Sequence, residues 1–191
     1  MKHKILLLEL TSQPYENLTH VFTQCGYQVQ TCKQINEVSS FLADKTVDFL
    51  VINVNLPHPS LLKEINKLLL KRAVPTVMFS KSSDKYLTEE AIQCGINALV
   101  VDGFAAYRLK HILDAAKAHF DHTQSLTGEI RKLKIQLADR KTIDKAKDIL
   151  MKRREIDEAA AIDLIRKMAM DRNQNLAQVA TNIIDVDELV I

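Results

Sequence analysis

The densest chemical signal in the chain lies between residues 131 and 154. Ten basic side chains, Arg131, Lys132, Lys134, Arg140, Lys141, Lys145, Lys147, Lys152, Arg153 and Arg154, share that stretch with only Asp139, Asp144 and Asp148. Seven net positive charges on so short a segment suit a polyanion, because clustered Lys and Arg attract phosphates and displace their counterions. A solvated, charged helix face is the other reading of the same residues. Residues 1–128 set the contrast, with 13 Lys and Arg against 12 Asp and Glu. Metal and thiol chemistry have less support. Cys25, Cys32 and Cys94 are odd in number and lack CxxC spacing, which reads as buried or half-buried thiols in a reducing compartment. His119 and His122 stand three apart on an expected helix, but no Cys or third His accompanies them, so they read as solvated rather than as zinc ligands. Neither a metal nor a cofactor is expected.

Two patterns alternate over the first 120 residues. Short apolar runs occur at 5–8, 49–52, 76–79 and 98–101, with a weaker β-rich piece at 27–31. Between them lie amphipathic patterns at 15–25, 35–43, 61–71 and 85–94. Runs that are apolar on both faces and separated by amphipathic helices imply a parallel sheet covered on each side. Gly26 and Gly95 fall where helices should stop, and Pro57 and Pro75 fall in loops. Five such units predict an α/β, flavodoxin-like domain with a five-stranded parallel sheet over 1–120.

A helix is expected from about residue 105 onward. Within 121–138, Leu126, Ile130, Leu133 and Leu137 follow the 4-3-4 spacing of coiled-coil a and d positions. Gly128 inside the stripe weakens it by about 1 kcal/mol relative to Ala. The stripe predicts a parallel homodimer; an amphipathic helix packing within its own chain is the alternative. Residues 139–191 then read as three short helices. The first offers Ile143, Ala146, Ile149 and Leu150 to a core. The second, N-capped by Asp157, offers Ala161, Leu164, Ile165 and Met168. The third, N-capped by Asn175, offers Leu176, Val179, Ala180, Ile183 and Ile184. No apolar run reaches membrane-spanning length, and the opening MKHKILLLEL is too short and too acidic at its end for a signal peptide. A cytoplasmic protein without membrane contact is expected.

Ala146, Lys147, Ile149, Leu150, Met151, Ala161, Leu164, Arg166, Ala169, Met170, Leu176, Val179 and Ala180 form a signature spaced over all three helices. It resembles the ANTAR domain, the small RNA-binding module of bacterial transcription antiterminators. Two departures are Asp148, where that family commonly has Gly, and Ile165, where it commonly has Leu. The order of elements in the first domain resembles the receiver domain of two-component response regulators. Receivers carry an acidic pair after the first strand, a phosphoacceptor Asp after the third, a hydroxyl after the fourth and a Lys after the fifth. The matching positions here are Glu9 and Leu10, Asn53, Ser80 and Asp102. Asn53 lacks the carboxylate nucleophile that forms an acyl phosphate. Leu10 removes an oxygen ligand that Mg²⁺ would need. Asp102 puts negative charge where a Lys would steady phosphoryl oxygens. The resemblance therefore implies a receiver without its chemistry, and no enzyme. Glu9 and Asp102 read either as a weak cation site or as a solvated loop cluster.

With VVDGF at 100–104 and the helix that follows, the whole chain resembles the nitrate-assimilation and amidase antiterminators. That resemblance implies binding to paired hairpins in a leader transcript and read-through past a terminator. It further implies control by a separate, inhibitory nitrate- or nitrite-sensing protein rather than by phosphorylation. The expected RNA contacts are Lys141, Lys145, Lys147, Lys152, Arg153, Arg166, Lys167 and Arg172, all placed outward. Arg166 is expected at a base or positional contact, and Lys152 and Lys167 at phosphates. No Phe, Tyr or Trp follows Phe120, so unpaired bases cannot stack on aromatic rings and a folded RNA shape suits the module better. Two rival functions stay open. Residues 157–170 and 175–184 mimic a helix-turn-helix for DNA, although the second of these has no Lys or Arg. A phosphorylation-dependent receiver is the other, and Asn53 stands against it.

Overall fold

The computed structural model describes residues 3–11, 18–43, 47–103 and 106–189. It divides into two compact units, Met1–Gln124 and Ser125–Ile191. In the first, strands β1 (Lys4–Glu9), β2 (Gln28–Cys32), β3 (Phe49–Val54), β4 (Thr76–Ser80) and β5 (Ala98–Val101) pair in parallel in the order β2-β1-β3-β4-β5. This is the flavodoxin-like order the apolar runs imply, with the chain reversing direction across the sheet between β1 and β3. Every residue of β3 and β4 is buried, while only Cys32 of β2 is. The weak 27–31 signal goes with that exposure at one edge of the sheet; β5, at the other edge, has no buried residue and still reads as a continuous apolar run.

Alternate residues of each strand feed two separate cores, as a two-residue period requires. Leu6, Leu8, Leu50, Ile52 and Met78 face one way. They pack with Val38 and Leu42 of α2 (Ile35–Ala43), Leu62 and Ile65 of α3 (Pro59–Lys71), and Ala91 of α4 (Lys85–Gln93). Ile5, Leu7, Phe49, Val51, Val77 and Phe79 face the other way. Their partners are Leu18 and Phe22 of α1 (Leu18–Gln24) and Leu109, Leu113 and Ala116 of α5 (Leu109–Arg154). Gly26 and Gly95 close α1 and α4 with φ of 88° and 97°, a conformation that side-chain-bearing residues rarely adopt. Of the helix expected at 15–25, positions 15–17 lie outside the described residues, as does the expected helix start at 105; a 3₁₀ turn, Ala106–Arg108, leads into α5.

α5 is one unbroken helix of 46 residues. Its first turns are buried in the sheet domain, its last turns in the second unit, and every residue from 121 to 141 is exposed. Leu126, Ile130, Leu133 and Leu137 all lie in that exposed stretch, as does Gly128.

The second unit folds the end of α5 with α6 (Glu158–Arg172) and α7 (Leu176–Leu189). The expected caps form. Asp157 Oδ1 accepts from the Ala160 N–H at 2.7 Å. Asn175 Oδ1 accepts from the Gln178 N–H at 2.8 Å, while Gln178 Oε1 accepts from the Asn175 N–H at 3.2 Å, a reciprocal box that satisfies two otherwise orphaned donors. Ala146, Leu150, Ala161, Ile165, Ala169, Val179 and Ala180 form the buried core. Four of these seven are alanines, which lets the helix backbones approach closely. Ile149, expected in the core, is only half-buried and lines a surface cleft instead.

Candidate nucleic-acid interface and degenerate pocket

The C-terminal ends of β1 and β3 lie side by side, and their register sets Glu9 directly opposite Asn53. Asn53 Nδ2 donates to Glu9 Oε1 at 2.8 Å, and Thr11 Oγ1 donates to the same oxygen at 2.8 Å. Leu10 turns into the first apolar core, and its N–H donates to the Asn53 carbonyl at 2.9 Å. On the next strand, the buried Ser80 hydroxyl is directed at two carbonyls, Ser82 at 2.6 Å and Asn55 at 3.2 Å. Asp102 follows β5 in the left-handed region, φ 59°, with its side chain exposed. Its backbone N–H reaches the Ser80 carbonyl at 3.0 Å, but no hydrogen bond joins its carboxylate to Glu9, Asn53 or Ser80.

The fold thus gathers Glu9, Leu10, Asn53 and Ser80 at the switch point of the sheet and leaves the Asp102 side chain apart. Within the cluster, a neutral amide meets the one carboxylate and the hydroxyl serves the loops. An amide is not a nucleophile toward phosphorus, and a carboxylate that already accepts two hydrogen bonds has less need of a cation. Among the described residues, no three His, Cys, Asp or Glu side chains converge as a metal site.

The basic residues of the second unit divide into two groups. Arg131, Lys132, Lys134, Arg140, Lys141, Lys152, Arg154, Lys167 and Arg172 are exposed and make no ion pair among the described residues. Others are engaged. Arg166 pairs with Asp163 one turn back, at 3.0 Å, and both are well exposed. Lys145 reaches Glu188 of α7 at 3.1 Å. Arg153 pairs with Asp187 of α7 through Nε, and its Nη2 donates to the Asp187 carbonyl at 3.4 Å.

Lys147 departs from the outward placement expected of it. Its side chain is only 16% exposed and bridges Asp144, at 3.0 Å, and Glu158 at the start of α6. The Glu158 carboxylate first, and Asp144 with it, hold the ammonium above the ordinary lysine value. Lys147 therefore straps α5 to α6.

Beside Arg153 a cleft of about 330 Å³ opens between the three helices. Its floor includes Leu150, Met168 and Ile183, and Arg154 and Arg172 stand at its rim. The cysteines are also placed. Cys25 is exposed, contrary to expectation, whereas burial first and Glu37 second push the buried Cys32 thiol up to about 11. Burial, then Glu90, likewise raises Cys94.

Sequence reasoning passed over Asp185, Asp187 and Glu188, which end α7. The available signal was a helix with no Lys or Arg and with its acids crowded into the last turn.

Residues 131–184 match the family model of the ANTAR domain. The chain carries an ANTAR domain. The match reaches back into the stretch expected as connector and stops before the acidic turn of α7. Two curated regulators are similar in sequence to parts of this chain. The transcriptional regulatory protein PdtaR of Mycobacterium tuberculosis is 27% identical over 138 residues, 72% of this chain and 67% of that protein. A nitrate regulatory protein of Klebsiella oxytoca is 35% identical over 88 residues, 46% of this chain but only 22% of that protein. Solved structures match the sheet domain. Chemotaxis protein CheY4 of Vibrio cholerae superposes with a TM-score of 0.53 at 17% identity, covering 61% of this chain and 99% of that one. A response regulator from Thermotoga maritima gives 0.52 at 14% identity, with the same two coverages. The unit ahead of the ANTAR domain has the receiver fold; likeness at such identities extends to the fold alone. Among the described residues, no helix is long and apolar enough to cross a membrane.

Proposed function

We propose that this chain is an RNA-binding transcription antiterminator that grips hairpins in a leader transcript. One observation carries the reading: the ANTAR match over 131–184 encloses the whole segment with seven net positive charges. Nine cations of the second unit stand without an ion pair among the described residues, ready to neutralise phosphates, and no aromatic ring is present there to stack an extended strand. α7, the helix that would read DNA in a helix-turn-helix, contains no Lys or Arg and ends in three acids, which disfavours that role.

The exposed stripe of Leu126, Ile130, Leu133 and Leu137 supports a parallel dimer, which would present two modules to two hairpins and raise affinity through effective concentration. The Asn53 amide on Glu9 supports control without phosphorylation, and no enzymatic step is assigned to the chain. In this reading an inhibitory, ligand-sensing protein docks on the receiver-like unit or on α5 and competes with RNA. The similarity to a nitrate regulatory protein makes nitrate or nitrite the proposed signal. Capture of the tagged protein from cells grown with and without nitrate, followed by sequencing of bound RNA, tests this. Enrichment of paired leader hairpins is expected; recovery of RNA without hairpins or of genomic DNA in its place would refute it.

A further inference from the structure

We propose that the acidic last turn of α7 is a built-in counter-anion, which holds two cations of the basic face and must be displaced before a polyanion can bind there. The inference rests on the proposed RNA-binding reading for its biological meaning, but its physical content concerns any polyanion. Two contacts make the device. Glu188 sits 3.1 Å from the Lys145 ammonium. Asp187 holds Arg153 through its carboxylate and also through its own backbone carbonyl. Sequence separations of 43 and 34 residues exclude an incidental pairing along one helix and require α7 to fold back along α5.

The electrostatics of α7 itself give no reason for these acids. A helix C-terminus carries partial negative charge, so carboxylates there are destabilising and cations favourable. α7 has Asp185, Asp187 and Glu188 at that end and no basic residue in its last turn. Lys145 and Arg153 of α5 supply the compensation. The ANTAR match ends at residue 184, so the acids, although part of α7, lie beyond its matched span. Asp187 is the better anchored of the two, with a side chain 20% exposed against 64% for Glu188. It also lies at the cleft edge with Val186, so its release would uncover Arg153 and the apolar floor together.

The consequence is a threshold. A weak or diffuse polyanion gains too little from Lys145 and Arg153 to displace carboxylates that are already in place. A ligand that also engages Lys141, Lys152, Lys167 and Arg172 offsets the loss of those two pairs, because these four cations have no intramolecular partner to give up.

The full-length double variant D187N/E188Q removes both charges while keeping side-chain size. A charge-matched control, E64Q/E89Q, alters two exposed acids of the receiver-like unit. Binding is read by anisotropy of a fluorescein-labelled heparin oligosaccharide from 50 to 300 mM salt, with helicity checked by circular dichroism. D187N/E188Q should bind about tenfold more tightly than the control at low salt, as expected from releasing two exposed pairs. Its log–log salt dependence should steepen by roughly 1 to 2, one increment for each cation freed to meet a phosphate-like charge. D187N alone should produce most of the change. Equal affinity of variant and control would overturn the proposal. Weaker binding would overturn it too, by showing that the acids position Lys145 and Arg153 for the ligand. A tighter heparin complex in a protein that enriches no leader RNA would leave the counter-anion standing and refute the RNA reading.

Discussion

Replacing Asn53 with Asp restores the residue type a phosphoacceptor requires, and the structure makes the change destabilising. In place of an amide donating to Glu9 Oε1 at 2.8 Å, the variant sets carboxylate against carboxylate. At that separation two charges repel by about 6 kcal/mol for an effective dielectric of 20. The pair relieves this by retaining one proton. Keeping a carboxyl of ordinary pKa near 4 protonated at pH 7 costs about 4 kcal/mol, which caps the penalty. Glu9 is half-buried and can swing partly toward water, so a net loss of about 2–4 kcal/mol is expected at pH 7. That corresponds to a fall of roughly 1–2 M in the urea midpoint for a domain of this size.

The sign with pH is fixed. The coupled pair has a folded pKa above its unfolded value, so its relative stability is complete below about pH 4 and is lost as pH rises through the folded pKa. Wild type and variant should converge toward pH 4.5 and diverge toward pH 7. Tyrosine fluorescence reads the right unit, because all four tyrosines precede residue 120 and the chain has no Trp. Equal urea midpoints at pH 7, or a gap that persists unchanged at pH 4.5, would refute the reasoning about Glu9.

Three further outcomes are expected. Ile130→Asp with Leu133→Asp, both exposed on α5, should convert a dimer to a monomer by light scattering while circular dichroism stays unchanged; a dimer that persists would place the contact elsewhere. Beryllofluoride or acetyl phosphate with Mg²⁺ should alter neither oligomeric state nor RNA affinity, since Asn53 offers no nucleophile and its amide occupies Glu9; a clear response to either reagent would contradict this. An aromatic disulfide reagent at pH 8 should label Cys25 first and Cys94 more slowly; Cys32, buried and with its thiol raised to about 11, should react only on unfolding.

The parallel sheet was legible because its central strands are buried on both faces and so read as continuous apolar runs. Only β2 blurred, because its exposed positions carry polar residues, Gln28, Gln30 and Thr31, whereas β5 at the other edge is apolar throughout. Helix caps were equally readable, since Asp157 and Asn175 act on donors three residues away. The candidate site was legible only as a set of residues. Periodicity tells which face a side chain occupies, not which face of another helix it meets. Lys147 shows the limit: it looked like a free cation on an amphipathic helix, yet Glu158, 11 residues on, draws it into a bridge. The pairing of Asp187 and Glu188 with α5 was hidden for the same reason. So was the Asn53–Glu9 hydrogen bond, which depends on the register of two strands separated by 44 residues.

RNA recognition is tested by a competition at fixed salt between a labelled leader hairpin recovered from cells and a duplex DNA of the same length. Recognition through the ANTAR domain predicts clear preference for the hairpin, with affinity falling steeply as salt rises and reduced by replacing Lys152, Lys167 and Arg172 with Ala. Equal binding to the duplex, or hairpin binding indifferent to those three cations, would contradict it.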